Sequence, residues 1–176
     1  MSIDDILAAP SATQPGIAQP AVAILKPARK VSFYNLHTGE KATVVYKECG
    51  ACVPDALAEV NHVLRDWRNN EVHPIDTRLL DLLADLHDDL GTGEPFNVIS
   101  GYRSPQTNAM LHEQSSGVAS KSLHMQGMAI DIRLPDTQLR RIRDTARSMG
   151  RGGVGYYESS NFVHVDVGRV RQWTGV

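Results

Sequence analysis

The order of patterns along this 176-residue chain predicts one small α+β domain, with an antiparallel sheet carrying a polar site and helices flanking it. Segments with strand-like alternation lie near both ends, helix-period segments fill the middle, and no stretch repeats another. Two late strands interrupt their apolar pattern with histidine and aspartate.

Residues 1–28 are rich in Ala, Pro, Ser and Gln without a sustained period, which predicts a flexible tail ahead of a domain spanning 29–176. Val31–Leu36 and Ala42–Tyr46 flank the turn-like His37-Thr38-Gly39-Glu40 and read as a β-hairpin. Asp55–Trp67 places Ala56, Leu57, Val60, Val63, Leu64 and Trp67 at helical spacing, with Pro54 suited to the entry. Ile75–Leu90 repeats that pattern, opened by Asp76 as N-cap and closed by Gly91. Phe96–Ser100 is a short strand that delivers Gly101-Tyr102-Arg103. Thr107–Gln114 reads as a helix, Ser115–Lys121 as a mobile loop, and Asp136–Met149 as a last helix, polar on its Arg140, Arg141 and Arg143 side. Gly150, Gly152, Gly153 and Gly155 lead into a final hairpin.

Composition narrows the function classes. A hydrophobic content of 41% supports one core, and a formal net charge of −2 lacks the basic footprint of a nucleic-acid binder. No apolar run approaches the roughly 18 residues of a membrane span. The start, Met1-Ser2-Ile3-Asp4-Asp5, is acidic where a secretory signal is basic, and Ala21–Leu25 is short and bounded by Pro20 and Pro27, so no export signal is expected in these residues. A monomer is expected. Cys49-Gly50-Ala51-Cys52 has no second C-x-x-C to complete four sulfur ligands, although His62 and His73 could in principle join it; it reads as a turn and assigns no function.

The chemistry concentrates in Ser122–Asp131 and Phe162–Asp166. Met128–Leu134 and Phe162–Val167 read as buried strands, so Ala129, Asp131 and Arg133 share one face, as do His164 and Asp166. If these strands pair, Asp131 and His164 meet across the sheet, and His124 needs only a turn at Gly127 to fold over them. An Asp and a His at the centres of apolar strands are costly to bury without a partner or a metal. Two imidazoles and a carboxylate suit a catalytic zinc ion, which takes three N/O ligands and keeps a fourth position for water.

Ser-x-His-x-x-Gly-x-Ala-x-Asp, with Ile99-Ser100-Gly101-Tyr102-Arg103-Ser104 before it and Phe-Val-His-Val-Asp-Val-Gly after it, resembles the M15 zinc peptidases. The likeness is closest to their DUF882 branch of murein endopeptidases and covers about residues 30–173. It implies the small α+β fold shared with D-Ala-D-Ala carboxypeptidases and the hedgehog signalling domain. It also implies one Zn²⁺ per chain, peptidoglycan stem peptides or cross-links as substrate, and action in the periplasm or cell envelope. Carried over residue by residue, the zinc ligands fall on His124, Asp131 and His164, and the arginine that grips a substrate carboxylate falls on Arg103. A guanidinium suits that grip because it offers two parallel hydrogen bonds. Ser104 is a candidate substrate contact beside it, although Ser-Pro-x-Thr-Asn also reads as a helix cap.

The general base is less legible. M15 enzymes place a Glu or a His shortly before the last histidine ligand, where this chain has Asn161 and Phe162. Glu158 matches the hedgehog spacing, and Asp166 shares a strand face with His164; at about 6.6 Å along the strand it is nearer to a carboxylate that orients a ligand. His37 and His112 could approach through loops. Two classes of function follow: a zinc peptidase of the bacterial wall, or a binding module that keeps the metal and lacks catalysis. A truncation beginning near Lys30 is expected to fold and bind metal like the full chain, as checked by circular dichroism and metal analysis.

Overall fold

The computed structural model describes residues 26–114 and 119–175. Residues 1–25 of the predicted tail and 115–118 of the predicted loop lie outside that range. Eight strands form one sheet: β1 (Arg29–Asn35), β2 (Lys41–Glu48), β3 (Ala51–Cys52), β4 (Phe96–Ser100), β5 (Ala129–Arg133), β6 (Gly153–Tyr157), β7 (Phe162–Asp166) and β8 (Arg171–Thr174). Their spatial order is β3-β2-β1-β4-β5-β7-β6-β8. The helices are α1 (Pro54–Val63), α2 (Thr77–Leu90), α3 (Pro105–Gln114) and α4 (Leu139–Met149). The α+β class and the mostly antiparallel sheet match expectation. Two pairs depart from it: β1 runs parallel to β4, and β6 parallel to β8.

Helix α2 anchors the core because its sequence is apolar on most of its circumference. Leu79, Leu80, Leu83 and Leu86 are fully buried, each worth about 1.5–3 kcal/mol in apolar transfer. The side chain of Asp76 accepts from Arg78 N at 2.9 Å, and Gly91 closes the helix in the left-handed region at φ 64. Val31, Phe33, Phe96, Val98, Ile130, Ile132, Val163 and Val165 join residues of α1, α2 and α4 in one continuous core. The alternate residues of β5 and β7 therefore face the other side of the sheet.

Several elements differ from the sequence reading. Helix α1 stops at Val63 instead of Trp67, where the Asp66 carboxylate accepts from Arg68 N at 3.1 Å and draws the chain into a turn. Helix α4 starts at Leu139 instead of Asp136, because Asp136 sits at φ 55, outside any right-handed helix. Strands β3 and β8 were not expected, being short and without apolar alternation. At the other end of the domain, Arg29 ties β1 to α2 through Asp85 and the Asp81 carbonyl oxygen at 2.9 Å, and to β2 through Tyr46 Oη at 3.0 Å. A truncation that preserves this edge must keep Arg29.

Asp66 is the buried polar link between α1 and the start of α3. At 1% exposure its carboxylate accepts from Ser104 N at 2.9 Å and Ser104 Oγ at 2.8 Å. Burial pushes its pKa up, but hydrogen bonds from Thr107, Ser104 and Arg68 outweigh burial and hold it below the usual carboxylate range. A depressed carboxylate stabilises the fold above its unfolded pKa, and that stability is lost as pH falls through the folded value. Asp66→Asn is expected to lower stability near pH 7 by about 1–3 kcal/mol. The gap from wild type should narrow below about pH 4. Denaturant unfolding across that range measures both.

Candidate metal centre

Strands β5 and β7 pair antiparallel with Asp131 directly opposite His164 and Ala129 opposite Asp166. A register irregularity between Val98 and Ser100 re-aims the end of β4, so that Ser100 falls opposite Asp131 on this same face. His124 arrives from a 3-10 turn, Leu123–Gln126, capped by Ser122 Oγ, which accepts from His124 N at 3.3 Å. Gly127 ends that turn at φ 64, and a Cβ there would lie 2.3 Å from the Pro74 carbonyl oxygen. Only glycine fits both demands.

The hydrogen-bond partners settle which ring nitrogens carry protons. His124 Nδ1 lies 2.7 Å from the Gly101 carbonyl oxygen, which can only accept, so Nδ1 donates and Nε2 keeps its lone pair. His164 Nε2 donates to Asp166 Oδ2 at 3.0 Å, leaving the lone pair on Nδ1. Those two lone-pair nitrogens are 3.2 Å apart, and Asp131 Oδ1 stands 2.8 Å from His164 Nδ1 and 3.3 Å from His124 Nε2. Three acceptors thus converge in a buried place, which one proton or one cation must reconcile. Among the described residues these three form the one group of at least three side chains able to hold a metal ion. The N, N, O donor set fits zinc.

The electrostatics agree with that geometry. Burial lowers the pKa of His124, so it is held neutral, against the opposing pull of Asp131. Burial raises Asp131, yet His124 and His164 overcome it and hold the carboxyl well below the usual range. Burial also lowers His164, but the hydrogen bonds to Asp131 and Asp166 outweigh it and raise its pKa to about 9. In the metal-free protein His164 is therefore where a proton substitutes for the cation.

Arg103 reaches the cluster from the segment after β4. Its side chain is 11% exposed, with Nη2 3.8 Å from Asp131 Oδ2. Nη1 and Nη2 make only long contacts of 3.4 Å to Asn108 Oδ1 and Ser100 Oγ, and the buried Nε has no partner. A buried guanidinium with unused N–H groups beside the cluster is what an incoming acceptor would meet.

The other candidates are placed differently from the sequence reading. Ser104, expected to touch substrate, is fully buried; its hydroxyl donates to Asp66 and accepts from Asn69 Nδ2 at 3.0 Å and Thr107 N at 3.2 Å. It holds the loop and has no capacity left. Glu158, a candidate base, is exposed and pairs with Arg140 at 3.1 Å. Arg140 belongs to α4, which packs on the opposite face of the sheet, so Glu158 points away from the cluster. Asp166, the other candidate, is fully buried with both oxygens engaged. Oδ1 accepts from Gly153 N, Gly168 N and Arg171 Nη1, and Oδ2 accepts from His164 and from Arg171 Nη2 at 2.7 Å. Despite burial these contacts hold its pKa far below the usual range. Its Oδ2 accepts from His164, and both oxygens are taken up by these contacts. His37 stacks on Trp67 and contacts the Ile99 carbonyl, while His112 lies on α3 outside the three-residue cluster. Cys49 and Cys52 are exposed free thiols, His62 pairs with Glu40, and His73 stacks on Tyr102, so no second metal group forms among the described residues.

Two residues beside the cluster were not found by sequence reasoning. Trp173 on β8 lies with its ring centroid 5.1 Å from that of His164, and its Nε1 donates to Tyr157 Oη at 2.9 Å. The only signal was a tryptophan in the polar run Arg171–Thr174.

The family model for the peptidoglycan L,D-endopeptidase MepK matches residues 24–173. The chain belongs to this family. The peptidoglycan L,D-endopeptidase MepK of Escherichia coli (strain K12) is 44% identical over 156 residues, covering 88% of this chain and 86% of the relative. The probable peptidoglycan L,D-endopeptidase MepK of Haemophilus influenzae is 41% identical over 149 residues, covering 84% and 80%. His124, Asp131 and His164, which lie in the motifs quoted from the sequence, are the side chains that converge here.

If Asp166 orients His164, Asp166→Asn should keep the fold and weaken metal affinity by about 10–100-fold. Competition with a chromophoric chelator measures this, and wild-type affinity in the variant would exclude the role.

Proposed function

We propose that the chain is a zinc-dependent peptidase that hydrolyses peptide bonds in peptidoglycan, in the periplasm or cell envelope, with one Zn²⁺ held by His124, Asp131 and His164. The observation that carries this reading is the convergence of His124 Nε2, His164 Nδ1 and Asp131 Oδ1 within 3.3 Å of one another. Membership of the MepK family supports the substrate class, since the Escherichia coli relative is a peptidoglycan L,D-endopeptidase and the Haemophilus influenzae one a probable peptidoglycan L,D-endopeptidase. No helix among the described residues is long and apolar enough to cross a membrane.

When bound, zinc supplies a polarising charge and a water acidic enough to act as nucleophile near neutral pH. The remaining work falls to the chain. Gly101 O and Asp166 hold both imidazoles in the tautomers whose lone pairs face inward. Ala129, fully buried two residues before Asp131 and opposite Asp166, keeps that face free of bulk. Arg103 binds a carboxylate or the developing oxyanion through its unused N–H groups. Glu158 and Asp166 are engaged elsewhere, so neither is the base in this reading. That same observation favours a second one, a metal-holding module for wall peptides without catalysis.

Metal analysis joined to mass spectrometry of digested peptidoglycan separates the two. Wild type should release peptides cut within the cross-links. His164→Ala should lose most of its zinc, because two ligands hold it poorly. Arg103→Lys should keep fold and zinc but lose about 30–1000-fold in kcat/KM, since an ammonium cannot reproduce the planar contact. Stoichiometric zinc in His164→Ala would mean other ligands, and near-normal digestion by Arg103→Lys would return Arg103 to a structural role.

A further inference from the structure

The strand order places Arg103 and the Trp173–Tyr157 pair on opposite flanks of the cluster. Arg103 follows β4 on one side of β5 and β7, while Tyr157 and Trp173 stand on β6 and β8 on the other. Gly155 pairs with His164 across β6 and β7, and Tyr157, two residues on, shares its face. A Cβ at Gly155 would lie 2.5 Å from the Trp173 ring. The missing side chain is what lets the indole cross β6 and lie beside His164.

The indole is held from several directions. Arg171 stacks over it at 4.9 Å, and that same guanidinium grips Asp166. Trp173 Nε1–H donates to Tyr157 Oη at 2.9 Å, and the Tyr157 ring stacks on Phe162 at 4.4 Å between centroids. A phenol oxygen that accepts from the indole must aim its own hydrogen elsewhere. Among the described residues no acceptor takes that hydrogen. Two unused donors therefore bracket the cluster, one charged and one neutral.

We propose that Tyr157, locked by Trp173, is a substrate-orienting residue: its hydroxyl donates to an oxygen acceptor of the peptide lying beside His124, Asp131 and His164, on the flank opposite Arg103. The acceptor is a backbone carbonyl or carboxylate oxygen of the stem peptide. A peptide held at both ends presents one bond to the cluster, whereas a peptide held by Arg103 alone could pivot about that contact. The inference rests on the peptidase reading and adds to it a residue that discriminates among peptide bonds.

The test uses full-chain zinc-loaded protein and purified soluble cross-linked muropeptides. Tyr157→Phe removes only the hydroxyl; it should keep the melting temperature and one zinc per chain and lose about 10–100-fold in kcat/KM, largely through KM. Trp173→Phe keeps an aromatic wall but frees the phenol to rotate, so its loss should be smaller and in the same parameter. A second readout needs no turnover. Metal-free wild type should change its Trp173 fluorescence on adding the muropeptide, a change retained in Trp67→Phe and absent in Trp173→Phe. Tyr157→Phe should need a higher muropeptide concentration for the same change. Wild-type kcat/KM and binding in Tyr157→Phe would overturn the proposal, as would loss of zinc or fold in that variant, which would mark a structural role. Wild-type protein that neither cleaves nor binds the muropeptide would overturn the peptidase reading itself, and this inference with it.

Discussion

Two imidazole lone pairs and a carboxylate oxygen forced together in a buried place make the constraint on which the rest of this domain depends. Buried acceptors that face one another without hydrogen between them repel, and the low polarity of the surroundings magnifies the cost. The surrounding structure is arranged to impose that cost. The Gly101 carbonyl and Asp166 each take the outward proton of one histidine, so neither ring can turn a proton inward without losing its partner. The pleat of β5 and β7 sets Asp131 against His164. The turn ending at Gly127 brings His124 over both. A cation at the meeting point turns three mutually repelling groups into a ligand set, and in its place a proton on His164 holds them together.

Asp166 spreads that constraint through the C-terminal strands. A single buried carboxylate receives His164, two backbone N–H groups and both terminal nitrogens of Arg171. Arg171 opens β8, and β8 also carries Trp173, so the carboxylate that accepts from His164 also fixes the strand beside it. Breaking one contact would leave the others with a buried, under-satisfied charge, which costs far more than the contact is worth by itself. The edge strand is short and polar, and its attachment comes from this ion pair and from parallel pairing to β6 more than from apolar burial.

What could be read from the chain divides along a physical line. Asp131 and His164 were legible because strand alternation is local, and one strand pairing converts two local patterns into a contact. His124 was legible because a glycine three residues later permits the turn. Helix α2 was legible in full, from its Asp76 cap to Gly91. By contrast, Ser104, Glu158 and Asp166 were plausible by type and spacing. Strand alternation gave the face of Asp166, but which donors surround each of the three depends on distant segments, and spacing does not carry that. Asp66, which fixes Ser104, is 38 residues away from it. Parallel β1–β4 and β6–β8 pairings are likewise long-range, and β8 has no apolar alternation to announce it. Trp173 reaches His164 because Gly155, which pairs with both, has no side chain to block the indole.

In the proposed reading, Arg103 and Tyr157 would let such a site distinguish among peptides and not merely hold a metal. A mostly buried guanidinium whose buried Nε has no partner and whose other two nitrogens make long contacts is under-satisfied by the protein itself. A substrate oxygen that reaches it recovers hydrogen bonds the protein forgoes when empty, so the gain on binding exceeds that of an exposed arginine making the same contact. A ligand lacking the acceptor leaves the donors empty and gains little, which is the basis on which buried polar groups reject near-matches. The neutral phenol on the far flank adds the same logic at lower strength, without drawing a second carboxylate in by charge. One strong grip and one weak one, with the three inward-facing ligand atoms between them, define a direction for the bound chain. Direction decides which bond lies over the cluster.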